Sequence, residues 1–234
     1  MQVLISGKTS FKVEVPYRLI ETGTPGDKPL IVYFHGFGQN MDAFQQQMKK
    51  LLDVRAYHLF LQGPYVNLGD AEYRGKWGYS WYVYNGKQGS FIKSLEYTSE
   101  FVQGVIDGLV PHLKVDRVCI LGYSMGAYLA GYFAFSRYKH TNDLVMIGGR
   151  LKSEVFKGRI KKGKHIRILT VHGKNDSVVE HGAQAEEMQK LIKAGFDVTE
   201  ITHTGGHSLK PAQIAGIYSW MRSKGYSSSN IKKQ

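Results

Sequence analysis

Short apolar runs recur along the chain at 30–34, 58–61, 118–121, 144–147, 166–171 and 198–201, and several are continuous rather than alternating. A strand with one wet face alternates apolar and polar residues; an unbroken apolar strand has to be covered on both faces. Stretches with helical periodicity lie between these runs. One extends from Asp42, a potential cap, to Leu52, with Phe44, Met48, Leu51 and Leu52 on one face. Others cover 94–109, 125–135, 182–194 and 211–224, the last opening on Pro211, which suits a first helical position. Strand alternating with helix implies parallel pairing, because a helix returns the chain to the starting edge of the sheet. The expected fold class is therefore α/β, a mostly parallel, doubly wound sheet flanked by helices. Two further runs, 3–5 and 11–15, flank SGKTS and predict a hairpin within an N-terminal region covering 1–29.

A chain of 234 residues, 42% of them hydrophobic, can bury a substantial core without disulfides or metals. No internal repeat or long linker divides it, so 1–234 reads as one domain. The single cysteine, Cys119, excludes an internal disulfide and reads as a buried, inert thiol in its apolar run. The formal charge of +12 raises the question of an anionic partner. The basic residues are scattered, however. The densest cluster, KGRIKKGK at 157–164, is punctuated by glycine, and the Lys232–Lys233 pair falls in a Ser-rich segment, 225–234, that reads as a flexible tail. Such charge fits a solvated surface, and no specific nucleic-acid partner is expected. No basic, then apolar, secretory start is visible, and no apolar run reaches about 18 residues, so neither a signal nor a membrane span is expected. A cytoplasmic setting follows as the expectation.

One segment resists the alternating scheme. Residues 67–90 are rich in glycine and aromatics with no steady period. A loop this long in a compact domain is usually functional or disordered. Its aromatics argue against disorder, so Trp77, Tyr79, Trp81 and Tyr82 are expected to line a substrate site, although exposed aromatics there could equally serve a homodimer.

The functional signal is LGYSMGA, where Gly122-Tyr-Ser124-Met-Gly126 follows the apolar run 118–121. A serine in a sharp strand-to-helix turn at the carboxyl end of a sheet strand projects its hydroxyl clear of the backbone, and its neighbours must be small. A serine hydroxyl is a weak nucleophile and needs a base that is itself oriented by an acid. Downstream, HGKNDSVV places Asp176 just past one strand and THTGGHSLKP places His207 just past the next, so that all three can meet at one sheet edge. His203 is the alternative base; Asp143, Asp197 and Glu200 are alternative acids, but none sits in a comparable loop. His203 and His207 lack the helix and acidic companions of a metal pair, so no metal and no cofactor are expected. FHGFGQN, after the run 30–34, supplies a glycine-softened loop; the backbone N–H groups of Phe37 and Met125 are assigned to an oxyanion hole. His35 and His172, each preceding a glycine, read as loop-holding groups.

HGFG, GYSMG, HGKNDSVV and GGH, in that order, resemble the phospholipase/carboxylesterase branch of the α/β-hydrolase superfamily, which includes small esterases and acyl-protein thioesterases. SWYVY from Ser80 and IGGRL from Ile147 are similar to two further signatures of that branch, and the resemblance covers about 30–221. It implies an α/β-hydrolase fold without a large cap domain, Ser124 as nucleophile, His207 as base and Asp176 as its partner. Met125 stands where many members carry Gln, and Val83 where they often carry Asp. The expected activity is hydrolysis of small carboxylic esters through an acyl-enzyme. Acyl-thioester or lysophospholipid hydrolysis is the alternative. A non-catalytic binding protein of the same fold would be expected to lose one of these parts.

Overall fold

All seven residues of strand β2 (Lys28–Phe34) are buried. Its even-numbered side chains Leu30, Val32 and Phe34 join one apolar cluster, and Ile31 and Tyr33 join another on the opposite face. This double cover is what the unbroken apolar run predicts. The computed structural model describes residues 5–7, 9, 12–67 and 77–229. Among these, the main sheet has seven strands in the order β1-β3-β2-β6-β7-β8-β9. The strands are β1 (Tyr17–Glu21), β2, β3 (Tyr57–Leu61), β6 (Val115–Tyr123), β7 (Asp143–Ile147), β8 (Arg167–Gly173) and β9 (Val198–His203); β4 (Tyr65–Asn67) and β5 (Gly78–Ser80) form a separate antiparallel pair. Only β1, at the edge, runs antiparallel within the main sheet, and it pairs with β3.

Helices α2 (Gln88–Leu109), α3 (Met125–Ser136) and α4 (His181–Lys193) contribute to the cluster on one face. Helices α1 (Met41–Gln47) and α5 (Pro211–Ser223) contribute to the other. The chain moves from β2 outward to β3 and then returns past β2 to β6. The strand order therefore reverses between β2 and β6, and the carboxyl ends of these neighbours open the crevice where α/β sheets hold ligands. Both the HGFG loop and the GYSMG turn begin there. No helix among the described residues is long and apolar enough to cross a membrane.

Several expectations need correction. Residues 3, 4, 8, 10 and 11 of the predicted N-terminal hairpin lie outside the described residues, and 12–15 form no strand. A lone hairpin is marginal in water, whereas β1 lays Leu19 and Ile20 against β3. Helix α1 is capped by Asn40, whose side chain accepts the Ala43 N–H at 2.8 Å; Asp42 falls in the first turn and pairs with Arg18 at 2.9 Å. The flexible tail expected over 225–234 does not begin at 225. Gly225 turns at φ 88° and delivers Tyr226 into the core, where its hydroxyl donates to Asp143 Oδ2 at 2.7 Å. Ser229 N–H then donates to the Asp53 carbonyl at 2.7 Å. Residues 230–234 lie outside the described residues.

Candidate active site

The turn from β6 into α3 is a single residue, Ser124, at φ 53° and ψ −116°. A non-glycine residue in such a region costs about 1–3 kcal/mol and persists only where its surroundings hold it. Here they do. Ser124 N–H donates to the Ile147 carbonyl at 2.7 Å. A Cβ on Gly122 would lie 2.1 Å from the Gly126 carbonyl oxygen, and one on Gly126 would lie 2.3 Å from that of Phe34. Glycine on either side of the serine is thus a steric requirement of helix and strand passing in contact, and the strain is imposed on Ser124.

The strand ends of β8 and β9 bring two more side chains to this point. His207 Nε2 is 2.7 Å from Ser124 Oγ, and His207 Nδ1 is 2.7 Å from Asp176 Oδ2. Asp176 Oδ1 accepts the N–H groups of Val178 and Val179, each at 2.9 Å. Burial of this carboxylate raises its pKa, but the bonds from Val179 N–H, His207 and Val178 N–H outweigh it and hold the group below its ordinary value. An ionised Asp176 accepts only, so His207 Nδ1 donates to it and Nε2 is left to accept from the serine hydroxyl. The alternatives are engaged elsewhere: His203 Nδ1 accepts the Gly205 N–H at 3.1 Å, Asp143 binds Arg167, Asp197 binds Lys224, and Glu200 accepts from Gln189.

One support of His207 went unforeseen. The Tyr123 ring stacks on His207, with centroids 5.6 Å apart and planes 24° apart. His172, as expected for a loop-holding group, donates from Nε2 to the Val179 carbonyl at 2.8 Å, pinning the loop that feeds Asp176. Burial pushes its imidazole pKa down, which favours this neutral role. Only the adjacency of Tyr123 to the serine hinted at the first contact.

The HGFG loop is held from three sides. His35 is buried, and burial lowers its pKa from 6.5 to about 4, so the neutral ring donates from Nδ1 to the Gly36 carbonyl at 2.8 Å. Its Nε2 accepts the Gly63 N–H at 3.0 Å. Gln39 Oε1 accepts Gly36 N–H at 2.8 Å, and Gly38 N–H donates to the Tyr79 carbonyl at 3.1 Å. The Phe37 N–H between them donates to no acceptor among the described residues. Met125 N–H opens α3 and, like any first helical donor, has no partner within the helix. Those are the two N–H groups assigned to the oxyanion hole.

The aromatic segment divides. Tyr79 contributes its backbone, with its N–H donating to the Gln39 carbonyl at 2.9 Å, and Trp77 is exposed. Trp81 is not a wall of the site: it is 0% exposed and donates from Nε1 to the His35 carbonyl at 2.7 Å, packing edge-on to Phe34. Its size and apolar surface send it into the core beneath the HGFG loop. Tyr82 does face a cavity, shared with Tyr84, Gln88, Phe91, Tyr128 and Lys152. Residues 68–76 of the segment lie outside the described residues.

Among solved structures the chain is similar to esterase PE8, at 18% identity and a TM-score of 0.73, covering 90% of this chain and 99% of that one. It is similar to the Bacillus cereus carboxylesterase at 17% identity and a TM-score of 0.70, covering 89% and 94%. It is similar to Zea mays acyl-protein thioesterase 2 at 19% identity and a TM-score of 0.70, covering 89% and 98%. At these identities the likeness carries the fold, an α/β-hydrolase sheet without a large separate cap. No curated protein sequence matches the chain. The family model described as Phospholipase/Carboxylesterase matches residues 16–224. The chain, as its ordered motifs imply, belongs to the phospholipase/carboxylesterase family of hydrolases.

Proposed function

We propose that the protein hydrolyses carboxylic esters of short to medium acyl chain through an acyl-serine intermediate. The observation that carries this reading is the continuous chain from Ser124 Oγ through His207 to Asp176, with both links at 2.7 Å. His207 Nε2 takes the hydroxyl proton as Ser124 attacks the carbonyl, and Asp176 stabilises the imidazolium that forms. The oxyanion then lies against the N–H groups of Phe37 and Met125; loss of one such donor typically costs about 2.7–4 kcal/mol of transition-state stabilisation. His207 returns its proton to the alcohol oxygen, and then activates water to release the acid. The same steps would cleave a thioester.

The test is turnover of p-nitrophenyl esters of graded acyl length by the wild type and Ser124→Ala. The variant is expected to lose on the order of 10⁶-fold in kcat while keeping its circular dichroism spectrum. Equal turnover by the two would sink the assignment of Ser124. A matched acyl-thioester series then ranks esters against thioesters.

A further inference from the structure

We infer that the cavity beside the Ser124 helix is an acyl site built for a short acyl chain ending in an anion, most simply a carboxylate, with Lys152 as its counter-charge. This rests on the hydrolase reading above and specifies its substrate class.

The cavity holds about 220 Å³ and is lined by Tyr82, Tyr84, Gln88, Phe91, Tyr128 and Lys152. Tyr128 lies one helical turn after Ser124, its N–H 3.4 Å from the Ser124 carbonyl. Helical side chains lean toward the helix N-terminus, so Tyr128 points back toward the nucleophile. Gly149, three residues before Lys152, also passes this point: a Cβ there would lie 3.2 Å from the Ser124 carbonyl oxygen. Tyr128 therefore sets one wall of the cavity a single helical turn from the reacting serine. No residue of the His207 loop lines it. The leaving oxygen has to receive its proton from His207, which places the alcohol half on that loop's side and leaves the acyl half to the Tyr128 side.

Aromatic rings alone would suit a neutral chain. Lys152 changes the chemistry. Its side chain is only 18% exposed, its Nζ donates to Gln88 Oε1 at 3.0 Å, and it stands 5.5 Å from the centroid of the Phe91 ring. Its carboxylate neighbour, Glu154, is 3.7 Å away and shared with Arg150, whose NH2 is 3.3 Å from it. Two cations share one carboxylate, so the group keeps a net positive charge. Most of the three donors of the ammonium remain for a ligand. Hydrolysis of such a hemiester breaks the acyl C–O bond. Water adds its hydroxyl to the acyl carbon and its proton to the alcohol oxygen, releasing a dicarboxylate and the alcohol.

The test uses p-nitrophenyl hemiadipate and p-nitrophenyl hexanoate, which have acyl chains of equal carbon count and differ in the terminal charge. The wild type is expected to favour the hemiadipate in kcat/KM by about tenfold, the worth of one charge-assisted contact. The ratio should approach one in Lys152→Gln, fall below one in Lys152→Glu, and shrink with added salt. A ratio that these substitutions leave within about twofold of wild type overturns the assignment. A second arm needs no turnover: titration of Ser124→Ala with ethyl hemiadipate and ethyl hexanoate, followed by tryptophan fluorescence. Tighter binding of the hemiadipate that vanishes in the Ser124→Ala, Lys152→Glu double variant supports the anion site even if neither ester is turned over, an outcome that would remove the hydrolase reading instead. Equal binding of the two overturns the anion site while leaving hydrolysis to be judged by turnover.

Discussion

Two aspartates lie buried at opposite ends of the central sheet, and their surroundings differ in kind. Asp143, at the start of β7, is 0% exposed. Arg167 Nε and NH2 grip both its oxygens at 2.6 and 2.7 Å, and the Tyr226 hydroxyl adds a third bond. Its charge is answered by a permanent cation, so nothing there moves a proton. Asp176, past the end of β8, is answered by two backbone N–H groups and by the ring of His207. Its charge is completed only when His207 becomes protonated. The first arrangement holds a fold, here by tying the C-terminal segment to the sheet. The second stores an electrostatic demand that a reaction can use.

The contrast can be broken most directly by making the same change at both ends. Asp176→Asn is expected to lower kcat by about 10⁴-fold, because the amide imposes the wrong imidazole tautomer, with little change in stability. Asp143→Asn is expected to do the reverse. It strands Arg167 and costs about 3–5 kcal/mol of stability, while kcat of the folded fraction stays near wild type. Urea denaturation and ester turnover on both variants read the two effects separately; a comparable loss of kcat from Asp143→Asn would erase the distinction.

Buried histidines sharpen it further. Burial lowers His35 and His58 alike from 6.5 to about 4. Between those values the unfolded chain binds protons that the folded chain refuses, so stability is fully present above pH 6.5 and is lost as pH falls toward 4. Each ring contributes a slope of at most about 1.4 kcal/mol per pH unit. Urea midpoints measured from pH 7 to 4 should fall steadily, and His58→Gln should flatten the slope. An unchanged slope would mean that the titrating groups lie elsewhere.

The smallest expected effects separate the two tryptophans of the aromatic segment. Trp81→Phe leaves the His35 carbonyl without its indole donor and should cost about 1–3 kcal/mol, with a fall in kcat as the HGFG loop relaxes. Trp77→Ala, at a residue 60% exposed, should change stability by no more than about 0.5 kcal/mol. Thermal melts and kcat on one ester decide; equal effects would return both residues to a single role.

What could be read from the chain and what could not follow from the range of the forces involved. The strand runs, the helices between them and the Ser124 turn are local consequences of periodicity and sterics. Gly122 and Gly126 announce a close crossing of backbones wherever the rest of the chain goes. Asp176 and His207 were legible because each follows an apolar run in a glycine-softened loop, and parallel strands deliver such loops to one edge. The roles of Trp81, Tyr226 and Lys152 were not legible, since each is set by a partner far along the chain. Trp81 meets His35, Tyr226 meets Asp143, and Lys152 meets Gln88. A tryptophan or a lysine has the same sequence signal whether it faces ligand, core or water. The sequence by itself determined a strained serine turn with a histidine and an aspartate downstream of it on a parallel sheet. Only tertiary packing decided which aromatics became core and which lined a cavity, because burial belongs to the surface that a side chain meets and not to the side chain alone.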